Sequence, residues 1–361
     1  MEFAGRRTFL KQVSAGAAGL ALGSIYKPGR VSARLFGPKE SRVSFMPGTD
    51  TREATYQSLK PLDKEVEKAI GDRQVIIKPN VGQVKKEWWL NASNAHQLRG
   101  ILDFLKPIYD RKILIGDGTA AGAVSTFEGY ENYNYLPLEK EYNVQFIEMN
   151  DQPTTVKWIQ DGNHHPRPIN IINYYLDPDV YMISAARFKN SGGVIVTFSL
   201  KNIVMGSPIN HYKQKERTGR NEKSLMHAKT PKVPGNNHRA LSYNIFLVAS
   251  MGVQPDLAVI DGTIGMEGNG PVQGTPVEHG VAVASTDWLA ADRLASELTG
   301  YDYADLKYLN WCGQAGMGID DLSKIKIIGP DYTKHIVQYK RADNFEHQRA
   351  WIYEDAEIAV D

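Results

Sequence analysis

Short apolar runs alternate along the chain with segments that have helical periodicity. Most of these runs are continuously apolar, which is typical of strands that are covered on both faces. The candidate strands are Val75–Ile77, Lys112–Ile115, Val144–Ile147, Val180–Ile183, Leu257–Ile260, Val281–Val283 and Ile325–Ile328. The alternation predicts an α/β fold: a single large domain with a largely parallel sheet, or alternatively a mixed one, flanked by helices.

Three segments between the candidate strands have the pattern of helices. They are Ala95–Leu105, His238–Met251 and Asp287–Leu298. The last follows Ser285 and Thr286, so a hydroxyl or carboxylate stands where it can accept hydrogen bonds from the first free amides of a helix.

The first residues resemble an export signal rather than part of the fold. Arg6-Arg7-Thr8-Phe9-Leu10-Lys11 matches the twin-arginine pattern, and Val13–Ile25 is apolar but too short to span a bilayer permanently. We predict a signal peptide over residues 1–33, export of the folded protein by the twin-arginine translocase to the periplasm, and one domain over residues 34–361. The alternative is an amphipathic first helix, and whether the signal is cleaved or kept as an anchor stays open.

Composition narrows the classes of function. Lys and Arg total 42 against 41 Asp and Glu, so no overall field attracts nucleic acid or an anionic membrane. Cys312 is the only cysteine. A single cysteine excludes an internal disulfide, a four-cysteine zinc site and an iron–sulfur cluster held by this chain alone.

Polar residues directly follow five of the candidate strands. Open α/β sheets bind ligands outside the carboxyl ends of their strands, so we expect these side chains to converge on one edge. The alternative for each alone is a turn or helix cap. The strand ends are Lys78-Pro79-Asn80, Gly116-Asp117-Gly118, Ser184 through Arg187 to Lys189, Asp261-Gly262 and Ser285-Thr286-Asp287.

Three further segments add candidate ligand-binding residues. Lys201 and Asn202 begin an apolar, helical run, where an ammonium and an amide can hold a carboxylate or phosphate. Asp261–Pro271 is rich in glycine, which predicts a tight loop whose Asp261, Glu267 and Asn269 can coordinate a hard cation. Asp292, inside the last predicted helix, requires a partner such as an Arg or a metal.

A long connection from about Ile209 to Asn237 lacks clear periodicity. We predict a lid or insertion loop over residues 209–237, with a local excess of Lys and Arg that can guide an anionic substrate. His227 and His238 are candidates for acid–base chemistry or metal binding. The alternatives are a solvated charged loop and histidines that are simply hydrogen-bonded.

Several of these segments together resemble the family known as domain of unknown function 362. The motifs that carry the resemblance are Val75–Asn80, Leu200-Lys201-Asn202 with Gly206, Asp261–Pro271 with Gly274, and Ser285–Asp287 through Ala290 and Asp292. The resemblance implies a single α/β domain, but it implies no particular reaction, because none is established for the family. Some relatives carry ferredoxin-like modules, but this chain lacks their cysteines.

Two classes of function stay open. The first is a periplasmic enzyme, such as a metal-assisted hydrolase, lyase or isomerase, acting on a small anionic or polyhydroxylated substrate resembling a sugar acid. The second is a ligand-binding or accessory protein that uses the same crevice without catalysis. The predicted catalytic residues are Asp261, Glu267, His227 and His238; the substrate-binding residues are Lys78, Asn80, Asp117, Lys189, Lys201, Asn202 and Asn269; and the ligands of a divalent metal are Asp261, Glu267 and Asp292.

Overall fold

The computed structural model describes residues 40–120, 125–211, 221–228 and 236–358. The segment with the predicted signal peptide lies outside these residues. Eleven strands are found in the described ranges: β1 (Ser41–Pro47), β2 (Gln74–Lys78), β3 (Ile113–Asp117), β4 (Val144–Glu148), β5 (Thr154–Gln160), β6 (Pro166–Ile172), β7 (Val180–Ser191), β8 (Ile195–Thr197), β9 (Leu257–Asn269), β10 (Gln273–Ser285) and β11 (Ile325–Ile328).

The helices cover both faces of the sheet. Those in the described ranges are α1 (Thr51–Leu59), α2 (Asp63–Ile70), α3 (Ala95–Leu105), α4 (Thr126–Asn132), α5 (Leu138–Glu141), α6 (Ser199–Gly206), α7 (Asn236–Ser250), α8 (Trp288–Leu298), α9 (Lys307–Gln314) and α10 (Phe345–Ile358).

Nine of the described strands form one mixed sheet with the order β11-β1-β10-β9-β7-β2-β3-β4, and β8 pairs with β7. The neighbours β9, β7, β2, β3 and β4 are all parallel, so their carboxyl ends lie at one edge. β10 is antiparallel to β1 and β9, and β8 is antiparallel to β7. β5 and β6 form a separate antiparallel pair. The predicted α/β fold with a largely parallel sheet is therefore confirmed, as a mixed sheet.

Alternating residues of the central strands enter two hydrophobic cores, one on each face. In β2, Ile76 belongs to one core, while Val75 and Ile77 belong to the other. Burial on both faces explains why the central strands have continuous apolar runs, and each of the seven predicted strands is present.

The three predicted helices are also present, and side chains cap the first turns of α3 and α8. Asn94 accepts a hydrogen bond from the amide of His96 at the start of α3. Asp287 accepts from the amides of Leu289 and Ala290 at the start of α8, which confirms the predicted cap.

Two predictions about local geometry are wrong. The glycine-rich segment Asp261–Pro271 is not a tight loop, because Asp261–Asn269 continues β9 and pairs with β10. Its glycines allow side chains from other strands to pack directly against the backbone. A Cβ on Gly262, for example, would lie only 2.9 Å from the ring of Phe188. The end of β10 at Ser285–Asp287 also lies at the opposite edge from the other predicted strand ends, because β10 is antiparallel to β9.

No helix in the described part of the chain is long and apolar enough to cross a membrane. The predicted lid over residues 209–237 is described only at residues 209–211, 221–228 and 236–237, and the last two belong to α7, so the lid stays a prediction.

Candidate functional site

The buried ion pair between Lys78 and Asp117 joins the ends of two neighbouring parallel strands. Lys78 ends β2 and Asp117 ends β3, and Lys78 Nζ lies 2.9 Å from Asp117 Oδ1. Asp117 also accepts hydrogen bonds from the amides of Val81 and Gly118. Burial lowers the pKa of Lys78, and the Asp117 carboxylate opposes that shift.

Two amide side chains extend this ion pair across the edge of the sheet. Asn202, in the first turn of α6, accepts hydrogen bonds from Lys78 Nζ at 2.9 Å and from Asn80 Nδ2 at 3.1 Å. Asn80 in turn accepts from Lys189 Nζ at 3.0 Å. One hydrogen-bonded chain therefore links β2, β7 and the start of α6.

Lys189 is a buried cation near the carboxyl end of β7, and only 3% of its surface is exposed. Its ammonium group donates to the carbonyl of Asn91 as well as to Asn80. Burial lowers its pKa well below the usual value, and the nearby charges of Arg187, Lys201 and Lys78 lower it further. Within the described ranges, no carboxylate lies within salt-bridge distance of Lys189.

Lys201 reaches the same region from α6, with 7% of its surface exposed. Its Nζ donates to Ser191 Oγ at 2.8 Å, the one hydrogen bond that this ammonium makes to the described residues. An ammonium has three donors, so two of them have no partner among the described residues. Burial lowers the pKa of Lys201 to about 8.

Lys223 and Arg187 complete the set of buried cations. Lys223 donates to the carbonyls of Gly206 and Pro208, each at 2.6 Å, and burial lowers its pKa to about 7. Arg187 donates to the carbonyls of Ala92 at 3.0 Å and Ile264 at 2.7 Å. We call Lys78, Arg187, Lys189, Lys201 and Lys223 the cation cluster.

Asp261 is the second buried carboxylate in this region. Its Oδ1 accepts hydrogen bonds from the amide and hydroxyl of Thr263, and its Oδ2 has no partner among the described residues. Burial raises the pKa of Asp261, whereas the positive charge of Arg187 lowers it. Asp261 thus balances part of the charge near Arg187 but does not pair directly with the lysines.

The five basic side chains of the cation cluster therefore outnumber the carboxylates that lie beside them in the described residues. Burying an unpaired ammonium costs several kcal/mol unless a counter-charge is supplied or the proton is lost. The first outcome describes a site that binds an anion, since a bound carboxylate or phosphate would supply the missing charge and accept hydrogen bonds from the donors of Lys201 that have no partner among the described residues.

The structure places the other predicted site residues elsewhere. Glu267 accepts a hydrogen bond at 2.7 Å from the amide of Lys340, and Asn269 is exposed and bonds to Asp343. Both therefore hold the segment that precedes α10. Asp292 accepts from the amides of Ser199 and Leu200 at the start of α6, and burial raises its pKa to about 7.

The predicted metal site is consequently not assembled from these residues. No group of three or more His, Cys, Asp or Glu side chains within the described ranges is arranged to hold a metal ion. Asp261 contacts Thr263, Glu267 contacts the chain near Lys340, and Asp292 caps α6. The prediction of a metal site formed by Asp261, Glu267 and Asp292 is wrong for this reason.

The two candidate histidines, His227 and His238, do not contact Asp261 or Glu267, the carboxylates predicted to act with them, within the described part of the chain. His227 ends a short 3₁₀ helix, Glu222–His227. His238 Nδ1 lies 2.8 Å from the carbonyl of Gly193, its ring packs against His347, and burial lowers its pKa. Among the described residues, His238 makes no hydrogen bond or salt bridge to Asp261 or Glu267, so these side chains do not form the predicted acid–base pair.

Sequence reasoning missed three residues that shape the site. Ser191 has a signal in the sequence, because it stands two residues after Lys189 and strand periodicity places such residues on one face. Lys223 lies in the segment with a local excess of Lys and Arg, but nothing in the sequence distinguishes it from the other basic residues there. Asn91, whose carbonyl accepts from Lys189, gives no signal, since any residue can offer a backbone carbonyl.

A surface pocket lies apart from this chemistry. It is lined by Asp50, Arg52, Glu53, Tyr56 and Asp103, and none of these belongs to the cation cluster. Three carboxylates against one guanidinium make that pocket unsuitable for an anion.

Comparison with known proteins gives a family and two distant similarities. The model of the family described as "Domain of unknown function (DUF362)" matches residues 75–297, more than half of the chain. A protein of Synechocystis sp. named as thylakoid-associated is 26% identical over 196 residues, which cover 54% of this chain and 53% of that protein. The chain thus matches about half the length of this relative.

A crystal structure of a Thermotoga maritima protein aligns with a TM-score of 0.35 and 12% identity, and it covers 64% of this chain and 55% of that one. Similarity at this level carries no argument about function.

Proposed function

The chain belongs to the family described as Domain of unknown function (DUF362), and from its cation cluster we propose that it binds a small anionic molecule at the carboxyl edge of the parallel strands. The observation that carries the proposal is the burial of Lys189 and Lys201 without a carboxylate partner in the described part of the chain. A carboxylate or phosphate is the ligand that offsets this charge.

The hydrogen-bond pattern supports a role for these lysines in binding rather than in the stability of the fold. Lys78 and Asp117 neutralise each other, and Lys223 is occupied by two carbonyls of the chain. Lys201, in contrast, has a single bond to Ser191 and two donors to spare within the described ranges. Asn80 stands beside the lysines, and its amide keeps one N–H donor and one oxygen lone pair beyond its bonds to Asn202 and Lys189, so it can bond hydroxyl groups of a polyhydroxylated ligand.

Calorimetric titration with phosphate, citrate and gluconate tests this proposal, with chloride at matched ionic strength as reference. We expect wild-type protein to bind at least one of these anions, and Lys201→Met to weaken that binding roughly 10- to 100-fold, the effect of one hydrogen bond to a charged group. Lys64→Met, at an exposed position of α2, is the matched control and should bind as the wild type does.

The unliganded Lys201→Met protein should be at least as stable to heat as the wild type, because an apolar side chain replaces a buried unpaired ammonium. Ser191 keeps a hydrogen bond from the amide of Gly193 in this variant. Equal binding of every anion by Lys201→Met and wild type would falsify the proposal.

A second candidate function is catalysis at the same site. Lys201 lies 2.8 Å from Ser191, and its pKa of about 8 is in the range where an amine exchanges protons efficiently near neutral pH. The two candidates differ in the fate of the ligand. An enzyme returns a chemically altered molecule, visible in the NMR spectrum of the recovered ligand, and loses this conversion in Ser191→Ala; a binding protein returns the ligand unchanged.

Export by the twin-arginine pathway to the periplasm is also part of the proposal, on the basis of Arg6-Arg7-Thr8-Phe9-Leu10-Lys11. Fractionation of cells that express the full chain tests it. Periplasmic protein is expected from the wild type, and replacing Arg6 and Arg7 by Lys should abolish export. Periplasmic protein in unchanged amount from that variant would contradict twin-arginine export.

A further inference from the structure

The segment Lys85–Ser93 joins the cation cluster to the protein surface. Its inner end is bound by the cluster, since Arg187 donates to the carbonyl of Ala92 and Lys189 to that of Asn91. Ser93 Oγ donates to the carbonyl of Ala185 in β7. These bonds fix the backbone of the segment next to the buried charges.

Trp89 lies on this segment between the buried cations and solvent. Its side chain is 46% exposed, whereas Arg187 is 1% exposed, and Arg187 Cζ lies 5.7 Å from the centroid of the Trp89 ring. No aromatic ring of the described residues packs against Trp89. One face of the indole is therefore directed towards the cluster, and much of its remaining surface meets water.

The neighbouring aromatic residue is engaged differently. Lys85 Nζ lies 4.9 Å from the centroid of the Trp88 ring, so that ring already contacts a cation of its own segment. Lys85, Lys86 and Glu87 are all exposed, and Lys85 Nζ lies 4.0 Å from Glu87 Oε1, so the two lysines leave one net positive charge at this point of the surface. This charge can draw an anion towards the segment without binding it closely.

We propose that Trp89 stacks against the ring of the bound molecule, and hence that the ligand is a cyclic sugar that carries an acidic group. The acidic group lies at Lys189 and Lys201, and an apolar face of the sugar ring lies on the indole. This inference rests on the proposed function, because it assigns the rest of a ligand whose charge the cation cluster holds. A large exposed indole beside buried cations matches such a molecule, with a flat apolar face and a charged end.

The test compares a cyclic sugar acid with an open-chain one. D-Glucuronate and D-gluconate have similar size and the same carboxylate, but gluconate has no ring; glucose 6-phosphate and the open-chain sorbitol 6-phosphate repeat the comparison with a phosphate. Binding is measured by calorimetry and by the quenching of tryptophan fluorescence, and the two pairs show whether a carboxylate or a phosphate fits the cluster.

We expect the wild type to bind the cyclic member of a pair more tightly than the open-chain member. Trp89→Ala should weaken binding of the cyclic ligand roughly tenfold, the usual effect of removing an aromatic stacking partner, and should leave the open-chain ligand unchanged. Trp89→Phe should restore most of the affinity. Trp88→Ala is the matched control and should bind both ligands as the wild type does.

The results separate this inference from the proposal on which it rests. If the wild type binds open-chain anions as tightly as cyclic ones, or if Trp89→Ala weakens neither, the stacking role is wrong while anion binding stands. If no anion binds at all, both are wrong. Because Trp89 is exposed, its replacement should leave the melting temperature nearly unchanged, so a lost affinity is not a loss of folding.

Discussion

Buried lysines in this protein have two different environments, and the difference decides what each can do. Lys78 has Asp117 as a counter-charge, whereas Lys201 has only the hydroxyl of Ser191 among the described residues. A neutralised ion pair helps to fix one arrangement of the strand ends. A buried ammonium without a counter-charge lowers the free energy of unfolding, that is, the stability of the folded state. The second kind is the one that a ligand can compensate.

Replacing Lys78 by Met should destabilise the protein by about 3–5 kcal/mol, because the buried carboxylate of Asp117 loses its counter-charge. The free energy of unfolding, measured in urea, checks this value. The exposed Lys64→Met is the control and should change it by less than about 0.5 kcal/mol. Equal stabilities of the two variants would show that the Lys78–Asp117 pair lacks the role assigned to it.

At the scale of elements, helix α6 presents Lys201 and Asn202 to the strand ends, and Asp292 of α8 fixes where this helix begins. Asp292 accepts from the amides of Ser199 and Leu200 and from the hydroxyl of Ser199. A carboxylate at these free amides stabilises the helix start through hydrogen bonds and the helix dipole. Asp292, singled out in the sequence as a metal ligand, therefore positions a binding element.

We expect Asp292→Ala to lower the free energy of unfolding by about 1–3 kcal/mol, because two buried amides lose their acceptor. The variant should also bind the anion more weakly, since the start of α6 carries two residues of the site. Asp287→Ala removes the comparable cap of α8 and is the matched control: it should lower stability but leave anion affinity unchanged. Unfolding in urea and calorimetric titration of both variants provide the comparison.

The sequence predicts an element well when its pattern of apolar residues has a single physical cause, such as burial of a strand on both faces. Central strands such as β2 are buried on both faces, so their apolar runs identify them without knowledge of their neighbours. β1 mixes Ser, Arg and Pro with apolar residues, so it lacks such a run. In β9, glycines indicated a loop, although they are required by the packing of side chains from distant segments, such as Phe188.

At the scale of the whole molecule, the parallel arrangement of β9, β7, β2 and β3 brings the site together. Lys78, Asp117 and Lys189 are far apart in sequence but lie at the carboxyl edge because their strands run in the same direction. Sequence patterns predicted this convergence from the general behaviour of open α/β sheets. They could not predict that Glu267 and Asn269 bind the segment before α10. Strand β9 stays paired with β10 as far as Asn269, so these two residues lie beyond the carboxyl edge where the site is.

The central claim is that buried, under-neutralised lysines hold an anion, and proton uptake on binding tests it most directly. Burial lowers the pKa of Lys201 to about 8, so near pH 8 about half of the molecules have a neutral Lys201 when no ligand is bound. A bound anion favours the charged form and raises this pKa, so protons are taken up on binding. Affinity should accordingly fall as the pH rises through about 8.

The measurement is calorimetric titration at pH 8 in two buffers with different ionisation enthalpies, which gives the number of protons exchanged. The account predicts a net uptake of a fraction of a proton or more in the wild type, and a smaller uptake with weaker binding in Lys201→Met. Binding without proton uptake, or an identical uptake in the wild type and Lys201→Met, would contradict it.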